Sequence, residues 1–126
     1  MVDIKGKRAL VVDDYHSMRV TLKEMLEQAG LVVTEAENGL EGLEKARIGN
    51  YDIIFTDIVM PVMDGLELCQ EVKNSAAMAK IPVVVLSTHT DASYLVKAIN
   101  TGADDYVPKP IERTLLYRVV ERLLND

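Results

Sequence analysis

The chain has 126 residues, enough for one domain with its own core, and 48% hydrophobic with 27% charged residues excludes a disordered or purely solvating segment. A formal net charge of −6 disfavours direct binding to nucleic-acid phosphates or anionic lipid, both of which need clustered Lys and Arg. With a single Cys, no apolar run near the ~20 residues of a membrane span and no signal-peptide core in MVDIKGKR, a soluble cytoplasmic protein without disulfides or a Cys-based zinc site is expected.

Apolar residues alternate between strand-like and helix-like spacing along the chain. Arg8–Val12 (RALVV) is a short strand candidate, and Ser17–Ala29 then carries Met18, Leu22, Met25, Leu26 and Ala29 at helical intervals, with Gly30 as its C-terminal cap. Leu31–Glu35 is a second strand; Gly39–Ile48 repeats Leu40, Leu43 and Ala46 and closes at Gly49. Asp52–Thr56 is the third strand, and Leu66–Asn74 sets Leu66, Cys69 and Val72 on one side of a short helix. Ile81–Ser87 is the fourth strand, with Pro82 at its beginning, where a missing N–H is tolerated. A helix over Ala92–Thr101 ends at Gly102, and Asp105–Val107 makes a short fifth strand. Leu115, Leu116, Val119, Val120, Leu123 and Leu124 give Ile111–Leu124 a buried helix face.

Five strands alternating with five helices predict an α/β fold, a parallel sheet covered on both faces with right-handed crossovers and a doubly wound order. No linker, repeat or low-complexity tract interrupts residues 1–126, so a single domain is expected. In such sheets ligands sit outside the carboxyl ends of the strands. Strand one ends in Asp13-Asp14, strand three in Asp57, strand four in Ser87-Thr88, and strand five runs into Lys109-Pro110. Each residue alone has a plain structural role: a helix cap for Asp13 or Asp14, a turn residue for Asp57, a strand-end hydroxyl for Ser87, a solvated charge for Lys109. Together they put three carboxylates on one rim, where like charges raise one another's pKa unless a cation intervenes. All-oxygen ligands with open positions suit Mg²⁺, with Mn²⁺ as a substitute, better than a Ca²⁺ cage. Mg²⁺ that shares a phosphate oxygen points to phosphoryl chemistry. No GxxxxGK[ST] loop and no GxGxxG follows strand one, and the first turn reads DDYHSM, so the phosphate is expected on the protein itself, as an aspartyl phosphate.

VVDD, FTDIVMPVMDG, VVVLST and GADDYVPKP, in this order and spacing, resemble a response-regulator receiver domain from about Arg8 to Leu124. The resemblance implies a flavodoxin-like three-layer sheet of order 2-1-3-4-5, with Asp57 as phosphoacceptor. It also implies Mg²⁺ on Asp14, Asp57 and the Val59 carbonyl, Asp13 acting through water, and Lys109 and Ser87 on phosphoryl oxygens. Ser87 and Tyr106 become switch residues, and helix four, strand five and helix five the surface read by a downstream protein such as a motor, a phosphotransfer protein or a kinase. The donor is a histidine kinase or phosphotransfer protein, and the chain is not a conventional enzyme; neither nucleic acid nor membrane is expected as a direct partner. A cis Lys109-Pro110 bond follows from the same resemblance. Met60-Pro61 and Asp64-Gly65 shape the turn after Asp57, with Asp64 capping the next helix. Thr88 stands where receivers usually carry a smaller residue, and Val59 and His89 flank the acceptor as modulators of phosphate lifetime. His16 lacks the partners of a metal pair, and Cys69 faces the core. Two other readings are a receiver-like binding module that works without phosphorylation and an aspartate-nucleophile phosphohydrolase. Adjacent Asp13-Asp14 and the lack of a cap insertion disfavour the latter.

Overall fold

A computed structural model describes residues 4–87 and 92–125. Strands and helices alternate as β1 (Arg8–Val12), α1 (His16–Gln28), β2 (Val32–Ala36), α2 (Gly39–Ile48), β3 (Ile53–Asp57), α3 (Gly65–Lys73), β4 (Val83–Ser87), α4 (Ala92–Asn100), β5 (Asp105–Pro108) and α5 (Arg113–Leu124). The strands form one five-stranded sheet in the order β2-β1-β3-β4-β5, and all pairings are parallel. No helix among the described residues is long and apolar enough to cross a membrane.

Alternation within β1 explains the three layers. Successive side chains of a strand point to opposite faces. Ala9 and Val11 pack with Leu22 and Leu26 of α1 and Leu116, Val119 and Val120 of α5. Leu10 and Val12 pack with Leu43 and Ala46 of α2 and Leu68, Cys69 and Val72 of α3. Ala98 brings α4 against Val85 and Ile58 on this second side. Because β1, β3 and β4 are buried on both faces, their sequences are nearly continuous apolar runs. Each fully buried Val, Leu or Ile contributes about 1.5–3 kcal/mol, so these central strands hold the sheet together.

Several element ends differ from the expected ones for local reasons. The helix before β2 ends at Gln28, one residue earlier than expected, and Gly30 follows the cap instead of forming it. Ala29 is the C-cap, Gly30 adopts φ 100, and the Leu31 N–H still donates to the Leu26 carbonyl. The ladder therefore begins at Val32, whose N–H donates to the Lys7 carbonyl. β3 extends to Asp57, which pairs with Leu86. β4 begins only after Pro82, and α5 begins at Arg113 after an extended Glu112. The Lys109-Pro110 bond is cis. Leu40, expected on the inner stripe of α2, is 42% exposed. Gly39 and Gly42 occupy that inner face instead, where a Cβ on Gly42 would lie 2.8 Å from Val12 Cγ2.

The loop after β3 is held by backbone contact. Asp64 caps α3, its side chain accepting from the Glu67 N–H at 2.8 Å in a reciprocal capping box. The Gly65 N–H donates to the Ile58 carbonyl at 2.7 Å, and a Cβ on Gly65 would stand 1.8 Å from the Asp57 carbonyl oxygen. No side chain fits there without moving the strand end. Gly65→Ala is therefore expected to lower the unfolding free energy by about 3 kcal/mol. Urea denaturation checks this: the midpoint should fall with the m-value unchanged, and an unshifted midpoint would contradict the close approach.

Candidate functional site

Parallel pairing sends every strand's carboxyl end to one edge. β1 and β3 are neighbours with Val12 opposite Thr56, yet α1 packs on one face of the sheet and α3 on the other. The residues that follow, Asp13 and Asp57, flank the crevice opened where the winding reverses. On the far side Ser87 pairs with Pro108, and the Lys109 N–H donates to the Ser87 carbonyl at 2.9 Å. This register leads Lys109 onto the same rim.

The side chains meet there. Asp13 is buried at 1% exposure; its Oδ1 accepts from the Tyr15 N–H at 2.9 Å and its Oδ2 from Lys109 Nζ at 3.0 Å. Asp57 Oδ1 accepts from the Ile58 N–H at 2.8 Å, and its Oδ2 lies 3.3 Å from the same Lys109 ammonium. Asp14 is exposed, and one carboxylate oxygen from each of Asp13, Asp14 and Asp57 lies within 4.8 Å of the others. Three carboxylates against one ammonium leave two formal negative charges. An all-oxygen donor set with that residual charge fits a hard divalent cation such as Mg²⁺, and among the described residues neither His nor Cys joins the cluster.

Asp57 is held above the ordinary carboxyl pKa. Burial is the largest cause; Lys109 opposes it, Asp13 adds to it, and the Ile58 N–H opposes it. Desolvation therefore leads, ahead of the repulsion between carboxylates expected from sequence.

The remaining expected positions are spread around this centre. Ser87 is buried at the end of β4. Tyr106 is half-buried on β5 and packs with Ile58, Val85 and Ala98, tying it to α4. Val59 is 59% exposed on the loop after Asp57. Cys69 is buried, as expected, and donates weakly to the Thr101 carbonyl. Thr88 and His89 lie outside the described residues. Neither Asp13 nor Asp14 caps α1, whose N-cap is Tyr15 without a side-chain cap bond.

One participant in this region was not singled out from sequence. Arg19 is buried on α1, and its Nη1 donates to the Asp13 backbone carbonyl at 2.8 Å. The signal was a charge on an apolar stripe: Arg19 lies three residues before Leu22 and seven before Leu26, and all three are buried.

A family model described as response regulator receiver domain matches residues 9–121. The chain is 40% identical over 115 residues to the DNA-binding transcriptional regulator NtrC of Escherichia coli strain K12, an alignment covering 91% of this chain and 24% of that protein. It thus spans about a quarter of that relative's length. It is 36% identical over 119 residues to the chemotaxis protein CheY of Bacillus subtilis strain 168, covering 94% of this chain and 98% of that one. Among solved structures it is similar to the receiver domain of the sensor histidine kinase PA1611 from Pseudomonas aeruginosa PAO1. That structure has a magnesium ion coordinated in its active-site cleft; the TM-score is 0.90 at 26% identity, over 96% and 99% of the two chains.

The raised Asp57 pKa has a definite sign. A carboxyl whose folded pKa exceeds its unfolded one binds more protons in the native state between those values, so stability falls as pH rises through that window. Asp57→Asn removes the ionisation. In metal-free protein it is expected to raise Tm at pH 7, with the gain shrinking as pH falls toward the ordinary carboxyl range. Calorimetry across pH in a chelating buffer measures it, and a lower Tm for the variant at pH 7 would contradict the assignment.

Proposed function

The chain belongs to the response regulator receiver domain family of two-component signalling, and from that membership we propose that Asp57 is its phosphoacceptor. The observation that carries the reading is the Asp57 carboxylate at the end of a buried strand, 3.3 Å from Lys109 and clustered with Asp13 and Asp14. A side-chain oxygen of Asp57 attacks phosphorus while the P–N bond to a phosphohistidine breaks. The donor imidazole leaves with the electron pair and takes up a proton. No general base is required, because Asp57 reacts as the carboxylate.

Each neighbour has a task in this step. The Ile58 N–H fixes Asp57 Oδ1, which orients the carboxylate plane. Lys109 moves from its two carboxylate partners to a phosphoryl oxygen, and the Ser87 hydroxyl holds another. Asp14, Asp57 and the Val59 carbonyl would hold Mg²⁺, with Asp13 acting through water. When bound, the ion supplies positive charge opposite the phosphoryl oxygens, the main need of a loose transition state. The magnesium ion coordinated in the PA1611 receiver's active-site cleft supports this use of the acidic cluster. In this reading the chain promotes its own modification and is not a conventional enzyme.

The donor is a histidine kinase or a phosphotransfer protein. Phosphorylation puts a group of roughly −1.5 to −2 charge where a single carboxylate charge stood, and the new phosphoryl oxygens draw Ser87 toward them and let Tyr106 turn inward. Tyr106 already contacts the cluster that contains Ala98 of α4, so its movement is coupled to α4, β5 and α5, the surface offered to a downstream protein.

Incubation with Mg²⁺ and acetyl phosphate is expected to add the mass of one phosphate, with chelator or Asp57→Asn abolishing it. Labelling that persists in Asp57→Asn overturns the acceptor assignment, and a partner bound equally with and without phosphate favours a phosphorylation-independent module. Val59→Asn gives water a polar anchor beside the acceptor and is expected to shorten the aspartyl-phosphate lifetime, with His89→Ala altering it as well. Unchanged decay in both variants removes Val59 and His89 as modulators.

A further inference from the structure

We propose that Arg19 is a positioning residue for the divalent-cation site, acting through the main chain of Asp13; this rests on the metal-dependent reading of the site given above. Its guanidinium touches three elements. Nη1 donates to the Asp13 carbonyl at 2.8 Å, Nε to Glu35 Oε1 at 3.0 Å, and Nη2 lies 3.1 Å from His16 Nδ1 and 3.9 Å from Glu37 Oε1. The end of β1, the first turn of α1 and the end of β2 are thereby pinned to one rigid planar fork.

Packing alone does not account for this side chain. Arg19 occupies the stripe of α1 that Leu22 and Leu26 continue, at 7% exposure, where an apolar residue would fill the layer without desolvating a charge. Replacing a buried ionic group by a well-packed apolar one is often neutral or stabilising. What an apolar residue lacks is a donor for the Asp13 carbonyl. Asp13 needs fixing, since its carboxylate lies within 4.8 Å of those of Asp14 and Asp57, and repulsion that Lys109 offsets only in part works against the turn. Its Oδ1 is tied to the Tyr15 N–H and its carbonyl to Arg19, so the turn carrying both Asp13 and Asp14 is held from the side chain and from the backbone. Glu35 in turn holds the guanidinium, and Lys23 Nζ, 3.9 Å from Glu35 Oε2, extends the contact to the next turn of α1. The cationic fork also places positive charge behind a cluster that carries a net negative one.

The consequence is a change in metal affinity separable from folding. Groups that orient a metal's ligands typically change affinity about 10–100-fold, and Arg19, which acts on the Asp13–Asp14 turn and not on a ligand itself, falls at the lower end of that range. By calorimetry on the unphosphorylated chain, Arg19→Met is expected to weaken Mg²⁺ binding about tenfold. Acetyl-phosphate labelling at saturating Mg²⁺ should stay within about twofold of wild type. Arg19→Lys, which keeps the charge but not the fork, is expected to lose about threefold. Paired with Asp13→Asn, Arg19→Met should show a non-additive loss of Mg²⁺ affinity, because both changes act on one turn. Wild-type Mg²⁺ affinity in folded Arg19→Met, or an additive pair, overturns the proposal. If Arg19→Met does not fold, wild-type affinity in Arg19→Lys overturns it as well. A wild-type chain that neither binds Mg²⁺ nor is labelled at Asp57 brings down the functional reading itself, and this inference with it.

Discussion

Three carboxylates share one strand-end rim, and Lys109 bridges two of them at 3.0 and 3.3 Å. Much of the surrounding structure resists the repulsion this creates. Asp13 is bound at Oδ1, at Oδ2 and at its carbonyl; Asp57 is bound at Oδ1 by the next N–H along the chain. Gly65 lets the loop after β3 fold back onto the Asp57 carbonyl, and the Asp64 cap starts α3 immediately behind it. The site is thus a concentration of like charge that the sheet and two loops hold in place, with two negative charges left for a divalent cation to balance.

In the proposed function, that arrangement gives a small chemical event a route to a distant surface. Lys109 leads off β5, whose Tyr106 packs with Val85 of β4 and Ala98 of α4. In the proposed function, drawing Lys109 and Ser87 toward a phosphoryl group changes the contacts of one rim of a densely packed layer. Packed layers respond by switching between discrete arrangements rather than by deforming smoothly. In that proposal α4, β5 and α5, the surface offered to a partner, meet at the β5 edge of the sheet, with α4 on one face and α5 on the other.

The fold was legible because its signals are repeated. Five apolar runs separated by five helical patterns define a doubly wound parallel sheet, and the residues ending β1, β3, β4 and β5 then fall on one edge by topology alone. Boundaries were less legible where a single hydrogen bond decides them: Leu31 belongs to the helix end because its N–H is taken by Leu26, and Asp57 belongs to β3 because it pairs with Leu86. Leu40 misled because helical spacing treats glycines as gaps, whereas Gly39 and Gly42 are the contact face of α2. Arg19 was hidden for the opposite reason. A charge on a helix is ordinarily a solvated one, and only the tertiary structure shows it turned inward to the Asp13 carbonyl. The leading cause of the raised Asp57 pKa was likewise a matter of burial, which a list of neighbouring charges does not contain.

In the proposed function the carboxylate of Asp57, and not that of Asp13 or Asp14 beside it, forms the acyl phosphate. Borohydride reduction of the acetyl-phosphate-treated protein converts an acyl phosphate to an alcohol, turning the modified aspartate into homoserine, and peptide mass mapping locates it. Homoserine is expected at position 57 alone, only in samples that contained Mg²⁺. Homoserine at position 13 or 14, or none in a sample carrying one added phosphate, would contradict the assignment to Asp57.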